Sequence, residues 1–182
     1  MSIVSDHNDF NRCFAHLGGQ AKDFSYLGTV GEEIPQLVDF YNSVLKQASE
    51  HGPEFPFIQL GIVNNMSINA HAVSYGEKYF IGITLGLILF TSDLFSTIMS
   101  DRCFAQGIGD IDAEKNKCID LSKLVSVYRD LAENSPRTDG PWQIFQNIPR
   151  DPIRKSYAHH CIEFALDFTV GHEIAHITRR GA

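Results

Sequence analysis

Residues 168–177 read Phe-Thr-Val-Gly-His-Glu-Ile-Ala-His-Ile, and they decide both the predicted fold and the predicted chemistry of this chain. His172 and His176 are four positions apart, so on an α-helix they lie on one face, about one turn from each other. Their imidazoles can then bind one tetrahedral zinc ion at about 2.0–2.1 Å. Glu173 is placed to take a proton from a water molecule in the open coordination position. The pattern predicts a zinc site with Glu173 as the catalytic base.

The helix that carries this motif is predicted to begin at Asp151-Pro152 and to run to about Arg179. An aspartate followed by proline is typical of an N-cap and the first helical residue. Apolar residues occupy two stripes of this helix, and together they cover most of its circumference: Ile162, Phe164, Leu166, Phe168, Val170, Ile174, Ala175 and Ile177. We therefore expect a buried C-terminal helix that holds the ligands rigidly and excludes bulk water.

The rest of the chain predicts an α+β arrangement in one domain spanning residues 1–182, with the order helix, small sheet, helices. Apolar spacing indicates helices at 31–51, 85–99 and 120–133 and β-strands at 57–63, 67–73 and 79–84. A loop is expected at 136–141, with a short element around Trp142–Ile148. Residues 1–30 show no clear period, and they are expected either to pack on the core or to remain poorly ordered.

Composition excludes several classes of partner. The formal net charge of -7 and a pI near 5.5 argue against nucleic-acid binding, and the absence of a basic cluster argues against an anionic membrane surface. No secretory signal is visible at the start, so a cytoplasmic location is expected. The four cysteines form no CxxC pair, which favours thiols in a reducing compartment over the alternative of disulfides.

Two windows resemble known zinc peptidases. Residues 164–181 look like the active-site helix of zincin metallopeptidases. The segment Asn69-Ala70-His71-Ala72 and the strand 79–84 are similar to the asparagine-alanine segment and edge strand of HtpX-type and CAAX-type peptidases. The phage-exclusion peptidase Lit and the ImmA/IrrE regulatory peptidases share the HExxH helix alone.

This resemblance implies a zincin-like fold, with a small, mostly antiparallel sheet packed on several helices, and hydrolysis of a peptide or protein substrate. It also implies that Ile81, Gly82 and Ile83 on the edge strand pair with the extended substrate, and Gly82 would let the peptide backbone approach closely.

The third zinc ligand of such peptidases comes from sequence downstream of the HExxH helix, and no residue of this chain matches it. We therefore expect a truncated form that binds zinc weakly, is inactive by itself, and leaves Phe168 and Ile177 partly uncovered so that self-association is favoured. Two other interpretations remain open. One is a non-catalytic regulatory or interaction domain on a zincin scaffold, and the other is a domain without metal.

Three further signals are given structural rather than functional interpretations. The His159-His160-Cys161 run is too far along the helix from His172 to share its ion. The acidic stretch 110–114 lacks the glycine and the bidentate glutamate of a calcium loop, so a solvated loop is expected. His71 is expected to be a half-buried strand residue.

Overall fold

The computed structural model describes residues 3–27, 29–52, 55–115, 118–134 and 147–180, and within these ranges the chain forms five α-helices and three β-strands. The helices are α1 (Ile3–Phe14), α2 (Thr29–His51), α3 (Leu85–Ser100), α4 (Leu121–Asn134) and α5 (Pro152–Arg180). The strands are β1 (Ile58–Val63), β2 (Ala70–Tyr75) and β3 (Lys78–Thr84). None of the described helices is long and apolar enough to cross a membrane.

The three strands form one sheet in the order β1-β3-β2, with β3 parallel to β1 and antiparallel to β2. Gly76, with φ +62°, opens the two-residue turn between β2 and β3, a position where glycine tolerates the left-handed backbone. The α+β class is confirmed. The sheet is mixed, however, rather than mostly antiparallel, because β1 pairs in parallel with the side of β3 that the β2–β3 hairpin leaves open.

Helices cover both faces of this sheet. On one face α2 and α5 pack on Leu60, Ile81 and Ile83, which are almost fully buried. On the other face Phe10 and Phe14 of α1 form a second, smaller apolar cluster with neighbouring strand residues. The end of α1 thus packs on the sheet through these two phenylalanines.

The start of α5 is capped as the sequence predicts. The Asp151 carboxylate accepts the N–H of Arg154 at 2.9 Å, and Pro152 is the first helical residue. The prediction that α5 is buried on most sides is wrong. Leu166, Val170 and Ile177 are buried, whereas Phe164 and Phe168 are 74% and 70% exposed.

The reason lies in how α5 is packed. It meets the sheet and α3 with one stripe, and no described residue covers the opposite stripe. Of the two residues expected to be partly uncovered, Phe168 is exposed and Ile177 is buried. The predicted loop at 136–141 and most of the short element around Trp142–Ile148 lie outside the described residues.

Candidate metal centre

The two motif histidines bring their ring nitrogens together. The Nε2 atoms of His172 and His176 are 2.9 Å apart, and both side chains are exposed. Two nitrogens that share one tetrahedral zinc ion at about 2.0–2.1 Å each lie roughly 3.3 Å from one another, so a small separation of the two rings would admit the ion. The observed 2.9 Å suits a hydrogen bond between the two rings.

Glu173 completes the group from the buried side of α5. Its side chain is only 9% exposed. One ligand atom each from His172, Glu173 and His176 can be chosen so that all three lie within 4.8 Å of one another. The cluster therefore consists of two imidazole nitrogens on exposed side chains, which are of the type that binds zinc, and an adjacent carboxylate held against the domain.

Contacts from α2 and from the sheet hold α5 in place. The Tyr41 hydroxyl of α2 donates a hydrogen bond to the carboxylate of Asp167, which lies on α5 five residues before His172. Burial, reinforced by Asp167, raises the pKa of Tyr41, so the phenol keeps its proton. Val170 and Ile177 anchor the next turns in the apolar core. The motif residues at 172–176 are thus carried by a helix fixed on both sides of them.

A small cavity lies beside His176. Its volume is about 150 Å³, and it is open to solvent on one side. Its lining combines the edge of the sheet with the helix: Ala72, Ser74, Tyr79, His176 and Ile177. The pairing of Ala72 with Ile81 and of Ser74 with Tyr79 places these β2 side chains on the face that α5 covers. The strand nearest to the candidate metal group is therefore β2.

The outer side of β2 is an open sheet edge, since no described residue adds a strand there. The Thr84 N–H donates to the Asn69 carbonyl at 3.1 Å, so this pair belongs to the hydrogen-bonded set of the ladder. In an antiparallel pair such residues alternate with residues whose N–H and C=O point outward. Ala72 and Ser74 belong to the outward set, and their backbone groups face the open edge.

The prediction that residues 79–84 form an edge strand able to pair with a substrate is wrong. Residues 79–84 form the central strand β3, paired on both sides, and Ile81, Gly82 and Ile83 are buried. They have no free edge for a peptide. A Cβ on Gly82 would come within 2.6 Å of the Phe14 ring, so this glycine makes room for α1 and not for a substrate backbone.

His71, His159, His160 and the acidic stretch 110–114, which were given structural interpretations from the sequence, do not belong to the candidate metal centre. His71 pairs with Gly82, and its half-buried side chain is on the face of α1, opposite α5. His159 and His160 are exposed, and each lies 3.3 Å from a carboxylate oxygen of Glu163. The stretch 110–114 was expected to be a solvated loop, and one of its residues is not solvated. Glu114 is buried and accepts the backbone N–H groups of Arg150 and Asp151.

Within the described ranges, no fourth His, Cys, Asp or Glu joins His172, Glu173 and His176. Sequence reasoning also missed Ala72 and Ser74. The alternation of polar and apolar residues at 67–73 indicated a strand, but not that this strand would be the edge beside α5. Comparisons with protein-family models, with characterised proteins and with solved structures found no match to this chain.

Proposed function

We propose that this chain carries the zinc-binding and catalytic part of a zincin-like metallopeptidase that hydrolyses a peptide or protein substrate. The observation that supports this most strongly is the cluster of His172, Glu173 and His176, in which two nitrogens 2.9 Å apart adjoin a nearly buried carboxylate. Zinc held by the two histidines would polarise the scissile carbonyl and acidify a water molecule. The proposal also requires a third protein ligand besides His172 and His176, because a catalytic zinc ion has three.

Glu173 is the general base and then the general acid. It takes the proton of the attacking water and transfers it to the departing amine, so the carboxylate ends the cycle as it began. Its low exposure supports this role, because a carboxylate away from bulk water holds its position and exchanges its proton with the reactants. The two histidines, in contrast, act as neutral nitrogen donors and move no proton.

The open edge of β2 is the proposed binding site for the substrate backbone. An extended peptide can add to it as a further strand, with hydrogen bonds to the N–H and C=O groups of Ala72 and Ser74. Such a peptide would pass the 150 Å³ cavity, where one side chain can enter next to His176. This replaces β3 with β2 as the strand that binds the substrate.

Zinc binding and hydrolysis are tested together, on the protein in its natural full-length form. Wild type and the variants Glu173→Gln, His172→Ala and His176→Ala are titrated with zinc and assayed on a quenched-fluorescence peptide library. His160→Ala removes an exposed histidine of the same helix and serves as the matched control.

Glu173→Gln should retain zinc and lose about 10²- to 10⁴-fold in kcat, the usual contribution of a general base. Each motif histidine variant should lose more affinity than the roughly 10- to 100-fold that follows loss of a ligand's hydrogen-bond partner. Zinc binding without cleavage in wild type would favour a non-catalytic scaffold. Equal zinc affinity in His172→Ala and His160→Ala would favour a domain without this metal site.

A further inference from the structure

Two cysteines far from the candidate metal centre lie side by side on the segment that joins α3 to α4. The Sγ atoms of Cys103 and Cys118 are 2.8 Å apart, although the residues are 15 positions apart in the sequence. Both side chains are exposed. Two thiols at this distance need little movement to form a bond, and solvent exposure lets a small reagent reach them.

One carboxylate holds the backbones of both cysteines. The Asp101 Oδ1 atom accepts the N–H of Cys103 at 2.7 Å and the N–H of Cys118 at 3.0 Å. The two backbone nitrogens cannot be farther apart than these two bonds laid end to end, so Asp101 holds the two cysteine backbones close together. Burial alone would raise the pKa of Asp101, but the N–H groups of Ile119, Cys103 and Cys118 together hold it below its ordinary value.

The surrounding segment is fixed independently of the sulfurs. The Arg154 guanidinium, which is fully buried, donates to the carbonyls of Asp101, Phe104, Ala105 and Ile108. Cys118 has φ +56°, a left-handed conformation that side-chain-bearing residues adopt rarely and keep only where the surroundings impose it. The proximity of the two thiols is thus a property of the folded segment and not of a loose loop.

We propose that Cys103 and Cys118 form a reversible redox pair that closes to an intramolecular disulfide by exchange with a small-molecule disulfide such as oxidised glutathione. In the first step one cysteine thiolate attacks the glutathione disulfide, which forms a mixed disulfide and releases one glutathione thiolate. In the second step the other cysteine thiolate attacks the protein sulfur of the mixed disulfide and releases the second glutathione. Two protein thiols are oxidised, one glutathione disulfide is reduced, and two protons remain on the two glutathione thiols.

The disulfide would tie the end of α3 to the residues just before α4, and so close a ring around the segment that Arg154 holds. Reduction by excess glutathione reverses it. The remaining cysteines offer a comparison, since burial and then the charge of Asp9 raise the pKa of the Cys13 thiol and so lower its thiolate fraction.

The experiment uses the full chain with Cys13→Ser and Cys161→Ser, so that only the proposed pair remains. The protein is equilibrated in glutathione redox buffers, once under native conditions and once in 8 M urea, then quenched with acid and alkylated. Mass spectrometry measures the fractions of dithiol, mixed disulfide and intramolecular disulfide. The effective concentration of one thiol towards the other is calculated for each condition. The unsubstituted protein is treated in parallel and its cross-linked peptides are mapped, which covers the case in which the double variant folds poorly.

The expected result is an intramolecular Cys103–Cys118 disulfide with an effective concentration at least tenfold higher in the native protein than in urea. The mapped linkage in the unsubstituted protein should be the same pair. Equal values in both conditions, stable mixed disulfides without ring closure, or a dominant linkage through Cys13 or Cys161 would each overturn the proposal.

Discussion

The two ends of α5 differ in what they do with polar side chains. Arg154 in the first turn is completely buried, whereas His172 and His176 in the last turns are exposed. The guanidinium of Arg154 donates hydrogen bonds to five backbone carbonyls, and its Nε lies 3.8 Å from the buried carboxylate of Glu114. The two imidazoles, in contrast, lie against each other on exposed side chains. One helix thus carries a polar group satisfied by the fold and a polar pair still able to bind a ligand.

This difference teaches where to look for chemistry in this molecule. A buried polar group with all its partners inside the chain stabilises the fold and has no capacity left for a substrate. An exposed pair of donors beside a nearly buried carboxylate makes no comparable contribution to folding. The motif end of α5 should therefore tolerate substitution without unfolding, and the Arg154 end should not.

The largest effect is expected at Arg154. Arg154→Met keeps an apolar chain of similar length but leaves five carbonyls without their donor and Glu114 without its counter-charge. The free energy of unfolding should fall by about 3–5 kcal/mol, as when one partner of a buried ion pair is removed. Urea denaturation measures this, and hydrogen exchange should show faster opening of residues 101–115.

Arg150→Met is the matched control for this experiment, because the Arg150 side chain is exposed and its backbone N–H remains in place. It should change the free energy of unfolding by less than about 0.5 kcal/mol. Equal losses in the two variants would show that the buried hydrogen bonds do not distinguish the first turn of α5.

The first turn of α5 also shows how far sequence could predict this structure. Asp151-Pro152 correctly predicted where the helix begins, because capping depends on neighbouring residues. The partners of Arg154 are some fifty positions away, and no local pattern indicates that an arginine between an isoleucine and a lysine will be buried. The proximity of Cys103 and Cys118 could not be predicted for the same reason, because the two residues are 15 positions apart in the sequence.

Long-range pairing explains the errors around the candidate site as well. The short apolar runs at 57–63 and 79–84 predicted β1 and β3 to within a residue, and the ends of α3 and α4 were predicted equally closely. The order of strands in the sheet depends on which edge of β3 pairs with β1, and the chain order did not reveal it. For that reason β3 was taken as the edge, when β2 is. Phe164 and Phe168 looked like core residues because apolar spacing cannot show whether a second layer covers a helix.

A second prediction concerns Asp93 of α3, the helix that packs along α5. Burial raises the pKa of Asp93 to about 7, and its charge is felt by the buried Tyr128. The folded state therefore keeps a proton that the unfolded chain, with an ordinary aspartate pKa of 3.8, releases. The free energy of unfolding falls as pH rises from about 4 to about 7 and is level above that range, since stability decreases wherever the folded state binds more protons.

Asp93→Asn should remove this decrease. Between pH 5 and pH 8 the variant should gain about 2–3 kcal/mol relative to wild type, since each pKa unit corresponds to 1.36 kcal/mol. Urea denaturation at both values measures the difference. Asp130→Asn on the exposed side of α4 is the control and should follow wild type. A wild-type stability that rises over this range through Asp93 would contradict the burial of its charge.

A third prediction tests the open edge of β2 in an active preparation of the protein. Ala72→Pro removes an N–H that points away from β3, at an edge where proline is tolerated. Loss of one backbone hydrogen bond to the peptide, worth about 1 kcal/mol, should raise KM roughly fivefold and leave kcat nearly unchanged. Ala72→Ser keeps the N–H and should change KM less. A fall in kcat at constant KM would place the substrate backbone somewhere else.

The smallest effect on the free energy of unfolding is expected at His172 and His176. In zinc-free protein, His172→Ala and His176→Ala should each change the free energy of unfolding by less than about 0.5 kcal/mol, because both side chains are exposed and neither supports the core. Added zinc should separate the proteins. A ligand that binds only the folded state stabilises it by about 2.7 kcal/mol at a hundred times its Kd, so wild type gains stability and the variants gain little.

The measurement is urea denaturation with a chelator and with excess zinc. A loss of several kcal/mol in the zinc-free variants would mean that the histidine pair supports the fold as Arg154 does. Both ends of α5 would then be structural, and the contrast between them would be lost.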